Sequence, residues 1–260
     1  MKQLFLFILV LFLSHLSFAQ DRSLYEKHVF VNGNDTMPYC LLLPENYDAS
    51  KKYPLIIFLH GSGERGRDNE KQLVHGSTLF LRDSIRKKYP AIVVFPQCSD
   101  SSYWSNVKFV YDSTKKRVGF NFSMNEQPTV AMKLLLGLIE QLQQNYKLTK
   151  KQFYVGGLSM GGMGAFELVA RKPKLFAAAF PICGGGDPTT AKNLIKTNWW
   201  IFHGLKDDVV LPEFSKTMVT AIQGNGGNVK LTLYPDANHN SWDSAFAEKE
   251  LLSWLFAQHK

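Results

Sequence analysis

Short apolar runs rich in β-branched and aromatic residues alternate along this chain with longer segments whose apolar residues recur every three or four positions. Six such runs are YPLIIFLH, AIVVFPQ, FYVGG, FAAAFPI, WWIFH and VKLTLY. Between the second and the third, Val130, Leu134, Leu138 and Leu142 would lie on one face of a helix. Buried strands that alternate with helices are typical of a mostly parallel sheet covered on both faces by helices. The sequence therefore predicts an α/β fold.

Other segments predict two hairpins and further helices. The stretch VFVNGNDTMPYCLLLP predicts an N-terminal antiparallel hairpin with its turn at 32–35. Helices are expected at 160–170, at 213–223 and at 244–257. The segment 103–122 fits no crossover, and its VKFVYD and RVGFNF runs predict a small added hairpin near the mouth of a site.

The first 19 residues have the pattern of a secretory signal peptide. Lys2 precedes the apolar run LFLFILVLFL, and Ser17 and Ala19 are small residues of the kind that signal peptidase accepts. The alternative, an uncleaved anchor, would need roughly 20 apolar residues, about twice the length of this run. We therefore expect cleavage after Ala19, a secreted or periplasmic location, no stable membrane insertion, and a single domain over 20–260.

The charge and composition exclude several classes of protein. The formal charge is +8, and cleavage at Ala19 removes Lys2 and no acidic residue, which leaves +7. Lys and Arg are scattered among acids and form no basic stripe with aromatic residues, so nucleic-acid binding is not expected. The 45% apolar and 20% charged residues are ordinary for a globular domain and exclude a disordered chain.

The cysteines allow at most one intramolecular disulfide, since the chain has three of them, Cys40, Cys98 and Cys183. Cys98 and Cys183 each follow a predicted parallel strand, and we predict a bridge between them if their Cα atoms lie within about 7 Å. The sequence has no CxxC pair and no His/Cys cluster at metal-ligand spacing, so no metal site is predicted.

Ser159 lies in the stretch GLSMG, between the strand-like QFYV and the helix-like MGAFELVA. Gly157 and Gly161, two residues before and after it, are what a very tight strand-to-helix turn requires. A glycine-rich turn without chemical function would give the same pattern. GxSxG alone therefore leaves both a nucleophile and a plain turn open.

Residues further along the chain favour the nucleophile. A serine hydroxyl becomes a good nucleophile only when a histidine accepts its proton, and that histidine needs a carboxylate partner. The stretch WWIFHGLKDDVVLP places acids directly after one predicted strand, and His239 follows the next strand. Serine, then acid, then histidine is the chain order of α/β hydrolases.

Five segments resemble secreted bacterial esterases of the α/β-hydrolase superfamily, related to dienelactone hydrolases, feruloyl and acetylxylan esterases and predicted peptidases. These segments are LHGSGERGRDN, VVFPQC followed by a tryptophan, GLSMGGMGAF, FHGLKDDVV and NHNSWD. The resemblance implies that Ser159 is the nucleophile, Asp207 the acid and His239 the base, with no metal or organic cofactor. Asp207 is favoured over Asp208 because relatives usually carry the acid four residues after the histidine of HG, which leaves Asp208 as a solvated or turn-capping carboxylate.

Acyl transfer also requires N–H donors directed at the developing oxyanion. Met160 follows the nucleophile at the start of a helix, where the helix dipole helps. The second donor is expected from the HGSGERG loop, where the N–H of Ser62 is favoured over that of Gly63. Gly63 and Trp104 are candidate substrate contacts, and for Trp104 core packing is an equal alternative.

The remaining polar and aromatic residues have two interpretations. Four residues of the same loop either recognise substrate or, as we favour, stiffen the loop: Glu64, Arg65, Asp68 and Asn69. Six others are interpreted as structural or core residues: His60, His203, Trp199, Trp200, Trp242 and Trp254.

The resemblance implies hydrolysis of carboxylic esters, for example acetyl or feruloyl groups on a polysaccharide. A serine peptidase or amidase of the same fold would use the same three residues. A catalytically silent carbohydrate-binding protein on this fold would be expected to lack one of the three, and here all three positions are filled.

Overall fold

A computed structural model describes residues 22–114, 117–124 and 127–260. The expected signal peptide at 1–19 lies outside these residues. Within them, no helix combines the length and the apolar character that a bilayer span requires.

The predicted α/β fold is confirmed. In the described part of the chain, eight strands form one sheet in the order β1-β2-β4-β3-β7-β8-β9-β10, and β5 pairs with β6 in a separate hairpin. β2 is antiparallel to both β1 and β4, whereas all other neighbours in the large sheet are parallel. The strands are β1 (Glu26–Asn32), β2 (Asp35–Leu42), β3 (Tyr53–Leu59), β4 (Ile92–Pro96), β5 (Val107–Tyr111), β6 (Arg117–Phe122), β7 (Leu148–Leu158), β8 (Ala178–Ile182), β9 (Asn198–Gly204) and β10 (Val229–Tyr234).

The helices pack on both faces of the sheet. They are α1 (Ser77–Leu81), α2 (Asp83–Lys88), α3 (Val130–Asn145), α4 (Met160–Arg171), α5 (Ala191–Leu194), α6 (Pro212–Gly224), α7 (Trp242–Ala247) and α8 (Leu251–Phe256). β3 shows how the two faces are covered, because successive side chains of a strand point to opposite sides. Leu55, Ile57 and Leu59 pack in the core that includes α3, whereas Ile56 and Phe58 pack in the core that includes α1 and α8.

Two parts of the helical prediction differ from the structure. The single helix expected at 244–257 is two short helices, α7 and α8, because the chain becomes extended at Glu248, which has φ −64° and ψ 114°. The helices α1 and α2, between β3 and β4, and the helix α5 were not predicted, since each spans too few residues to show a helical period.

The predicted disulfide between Cys98 and Cys183 is wrong, because all three cysteines are free and buried. Cys98 follows β4 and Cys183 follows β8, and β3 and β7 lie between these two strands. Three strand spacings of about 4.8 Å separate the strand ends by roughly 14 Å, about twice the Cα distance that a disulfide can span. Burial raises the pKa of Cys98 to about 12 and that of Cys40 to about 11, so both remain thiols at neutral pH.

Candidate active site

Ser159 occupies the turn between β7 and α4 with φ 52° and ψ −117°, a strained conformation for any residue that has a side chain. The turn is packed tightly against neighbouring backbone. A methyl group at Gly161 would overlap the carbonyl of Leu59, and one at Gly157 would overlap the carbonyl of Gly161. Only glycine fits at these two positions, which is the physical reason for the GxSxG spacing.

The structure brings the side chains of Ser159, His239 and Asp207 together. Nε2 of His239 lies 2.9 Å from Oγ of Ser159, and Nδ1 of His239 lies 2.8 Å from Oδ2 of Asp207. An ionised carboxylate only accepts hydrogen bonds, so Nδ1 of His239 donates to Asp207. In the neutral ring Nε2 is then free to accept the proton of the Ser159 hydroxyl.

The turn after β9 holds Asp207 in its ionised form. Oδ1 of Asp207 accepts the N–H groups of Val209 and Val210, each at 2.9 Å. Burial alone would raise the pKa of Asp207, but hydrogen bonds from His203, His239 and Val210 outweigh burial and hold this pKa well below its usual range. The carboxylate therefore stays charged far into the acid range.

Asp208, the neighbouring acid, is exposed, and its backbone N–H lies 3.4 Å from Oδ1 of Asn238. Asp187, at the end of the CGGGD stretch, caps a turn, since its Oδ1 accepts from the N–H of Thr189 at 2.9 Å. These positions favour Asp207 as the partner of His239.

His203, at the end of β9, is completely buried and also contacts Asp207, with Nε2 3.2 Å from Oδ2. The same Nε2 lies 2.7 Å from the carbonyl oxygen of Val210, which can only accept, so Nε2 carries a proton. Nδ1 lies 2.7 Å from Oγ of Ser215, which also lies 3.0 Å from the carbonyl oxygen of Gly184. The Nε2–H group of His203 therefore contacts the Asp207 carboxylate, which the structural interpretation of His203 missed.

His60, at the end of β3, has the opposite arrangement. Its Nδ1 donates to the carbonyl of Gly61 at 2.6 Å, and its Nε2 accepts the N–H of Cys98 at 3.0 Å. A ring nitrogen that accepts carries no proton, so His60 is neutral. Burial lowers the pKa of His60 to about 4, in agreement with this assignment. His60 thus fits the structural role expected from the sequence.

The expected oxyanion donors lie on two segments beside Ser159. Met160 is the first residue of α4, and the first N–H groups of a helix have no acceptor within the helix. Ser62 and Gly63 are exposed in the turn that follows β3. This turn lies close to the end of β7, because a methyl group at Gly61 would approach the side chain of Leu158 to 2.8 Å.

Trp104 and Trp242 differ in burial and in the residues that they contact. Trp104 has 0% exposure, and its indole N–H donates to the carbonyl of His60 at 3.1 Å. Its ring presents no face to a substrate, which favours core packing over an aromatic wall.

Trp242, interpreted from sequence as a core residue, is instead half-buried beside the triad. Its ring lies edge-on to His239 with centroids 5.5 Å apart and lies 5.0 Å from the ring of His75.

The charged loop after β3 is held by its own hydrogen bonds. Oδ1 of Asp68 accepts the N–H groups of Glu70 and Lys71 at 2.9 and 2.8 Å. Nε of Arg65 donates to the carbonyl of Ser62 at 3.1 Å. These bonds favour the stiffening role over direct substrate recognition.

Cys183, Asp207 and His239 each have one potential metal-ligand atom within 4.8 Å of the others. The Nδ1 of His239 and the Oδ2 of Asp207 are already bonded to each other. Burial and the charge of Asp207 raise the pKa of the Cys183 thiol, and metals bind the thiolate. The cluster therefore fits a hydrogen-bonded triad better than a metal centre.

Comparisons with known proteins agree with this geometry. The Esterase family matches residues 32–213, and the prolyl oligopeptidase family matches residues 187–259. Lysophospholipase-like protein 1 of Mus musculus is 22% identical over 231 residues, which cover 85% of this chain and 92% of that protein.

Solved structures share the fold. A thermostable esterase is 32% identical with a TM-score of 0.78 over 91% of this chain, which spans only 64% of that esterase. A ferulic acid esterase from Anaeromyces mucronatus has a TM-score of 0.63 at 16% identity, over 88% of this chain and 89% of its own. Because the first of the two family matches covers well over half of the sequence, the chain belongs to the Esterase family of α/β hydrolases, which are serine-type carboxylic ester hydrolases.

Proposed function

We propose that this protein hydrolyses carboxylic esters through an acyl-enzyme on Ser159. The observation that carries the proposal is the continuous chain of hydrogen bonds from Oγ of Ser159 through His239 to Asp207, at 2.9 and 2.8 Å. This geometry allows the serine proton to move to the histidine as the hydroxyl attacks.

In the first half of the reaction, Oγ of Ser159 bonds to the carbonyl carbon of the ester while its proton moves to Nε2 of His239. The bond from that carbon to the alkoxy oxygen then breaks, and His239 gives the proton to the departing alcohol. In the second half, a water molecule gives one proton to His239 and attacks the acyl-enzyme. The carboxylic acid leaves, and Oγ of Ser159 regains its proton.

The backbone N–H of Met160 and that of Ser62, with Gly63 as the alternative, stabilise the negative oxygen that develops in both halves. The first turn of α4 adds the positive end of its dipole to the Met160 donor. Removal of one such donor in other serine hydrolases typically costs about 10² to 10³ in rate.

The proposed substrates are esters carried on polysaccharides, such as acetyl or feruloyl groups. Support comes from the five resembling segments and from the ferulic acid esterase that shares the fold. The signal-peptide pattern of 1–19 supports action outside the cytoplasm, where such polymers are met.

The test replaces Ser159 by alanine and measures the turnover of p-nitrophenyl acetate, butyrate and octanoate, methyl ferulate and acetylated xylan. We expect kcat to fall by about 10⁴ to 10⁶, because the nucleophile is lost while the fold is not. Ser253→Ala, an exposed serine on α8, is the matched control and should retain full activity. A folded Ser159→Ala protein that keeps more than a few per cent of its activity would remove Ser159 from this role.

A serine peptidase or amidase is the second candidate, because the prolyl oligopeptidase family matches residues 187–259. That segment contains both Asp207 and His239. Peptide p-nitroanilides in the same assay separate the two functions, and faster turnover of anilides than of esters would favour the peptidase.

A further inference from the structure

A groove of about 460 Å³ lies beside the hairpin of β5 and β6 and is not lined by Ser159, Asp207 or His239. Its walls come from the loop after β3, the loop after β4, the hairpin and the start of α3. Residues that line it include Arg65, Tyr103, Ser105, Asn106, Lys108 and Asn121.

The groove opens on the same edge of the sheet as the triad. The loops after β3 and β4 leave the carboxyl ends of parallel strands, where α/β proteins bind their ligands. β4 and β7 are separated only by β3, so the loop after β4 starts about 10 Å from the turn of Ser159. Arg65 joins the two places, since it lines the groove and its Nε donates to the carbonyl of Ser62 at 3.1 Å.

The chemistry of the lining fits a neutral ligand with many hydroxyl groups. Asn106 and Asn121 offer amides that both donate and accept, and Tyr103 adds an aromatic surface. Arg65 is less suited to capturing an anion, because its Nη1 already donates to the carbonyl of Asp100 at 3.1 Å and the acidic Asp100 also lines the groove.

Ser105 gives an independent indication of a ligand. Its side chain is 2% exposed, it lines the groove, and its hydroxyl has no hydrogen-bond partner among the described residues. A buried hydroxyl without a partner destabilises the folded protein, so such groups are normally satisfied. A hydroxyl group of a ligand in the groove would provide the missing partner.

We propose that this groove binds the glycosyl part of the ester substrate, with Ser105 and Asn121 as hydrogen-bonding residues. The proposal rests on the proposed esterase function. It adds a subsite that selects esters borne on oligosaccharides over small esters with the same acyl group.

The test compares two acetyl esters, p-nitrophenyl acetate and an acetylated xylo-oligosaccharide, on wild type, Ser105→Ala, Asn121→Ala and Thr220→Ala. Thr220 is the control because it is exposed on α6 and lines a different surface depression. For the two groove variants we expect KM for the oligosaccharide ester to rise about threefold to tenfold with kcat unchanged, as for loss of one hydrogen bond. KM for p-nitrophenyl acetate should stay the same in all four proteins.

Ser105→Ala should unfold at the same temperature as wild type or higher, because it removes a buried unpaired hydroxyl, so a rise in KM cannot come from misfolding. Isothermal titration with the unesterified xylo-oligosaccharide should show binding to wild type that is weakened in both groove variants. Absence of that binding, or equal changes in KM for both esters, would overturn the groove proposal.

The same assay distinguishes failure of the groove proposal from failure of the esterase function. If wild type hydrolyses p-nitrophenyl acetate but not the oligosaccharide ester, the groove proposal is wrong and the esterase function stands. If wild type hydrolyses neither ester, the esterase function itself is wrong.

Discussion

Replacement of His203 by phenylalanine is expected to lower the free energy of unfolding at neutral pH and to raise the pKa of Asp207. In the wild type, Nε2 of His203 lies 3.2 Å from Oδ2 of Asp207. Burial raises the pKa of Asp207, and hydrogen bonds that include the one from His203 outweigh burial and hold this pKa well below its usual range. Phenylalanine has a ring but no donor, so the carboxylate loses one of these hydrogen bonds.

The size of the effect follows from the contacts of Asp207. A hydrogen bond to a charged group contributes about 1.5 to 3 kcal/mol. After the substitution, Asp207 keeps the bonds from His239 at 2.8 Å and from the N–H groups of Val209 and Val210 at 2.9 Å. We therefore expect the free energy of unfolding at pH 7 to fall by about 1.5 to 3 kcal/mol. The pKa of Asp207 should rise but stay below its usual range, because the remaining donors still favour the charged form.

The assays are urea unfolding at pH 7 and ¹³C NMR titration of the Asp207 carboxyl group, on wild type, His203→Phe and His60→Phe. His60 is the matched control, since it is also a buried histidine at a strand end, but it bonds to Gly61 and Cys98 and not to a carboxylate. Its variant should leave the pKa of Asp207 unchanged. Circular dichroism checks that each variant is folded before its titration.

Two results would contradict the role given to His203. The first is a folded His203→Phe protein in which Asp207 titrates as it does in the wild type. The second is a free energy of unfolding at pH 7 that is the same in His203→Phe and in the wild type.

Two other predictions concern the acids after β9 and the buried His60. Asp207→Asn should lower kcat by about 10³ to 10⁴, because an amide neither supports the imidazolium formed during the reaction nor fixes the tautomer of His239. Asp208→Asn should lower kcat less than about tenfold. The two variants are compared by kcat/KM on one small ester, and a larger loss for Asp208→Asn would exchange the roles of the two acids. The pKa of His60 is about 6.5 in the unfolded chain and about 4 in the folded protein. Between these two pH values the unfolded chain binds a proton that the folded protein does not, so the free energy of unfolding should fall by about 3 kcal/mol as the pH drops from 7 to 4. Urea unfolding at pH 7 and pH 4 measures this loss of stability, which should be smaller in His60→Gln. An equal loss in His60→Gln would mean that other groups cause the pH dependence.

The strands and the triad candidates could be predicted because both depend on local patterns. Each buried strand is an apolar run, and residues that follow parallel strands meet at one edge of the sheet. Ser159, Asp207 and His239 all follow such strands, so their order along the chain was enough to suggest that they meet.

The hydrogen-bond partners of His203 could not be predicted, because they come from separate parts of the chain. Val210 lies in the turn after β9, Ser215 in α6 and Gly184 after β8. The disulfide prediction failed for a related reason. The positions of Cys98 and Cys183 depend on the order of strands across the sheet, and this order differs from their order in the sequence.

The three free thiols can be used to measure local opening of the folded protein. Cys40, Cys98 and Cys183 are each 0% exposed, and they lie in or after β2, β4 and β8. An alkylating reagent can reach each thiol only when the surrounding part of the sheet opens, so the three labelling rates report on local opening at separate places. Because no covalent cross-link joins these strands, the sheet can also form in a reducing cytoplasm, and a host for producing the domain need not supply an oxidising compartment.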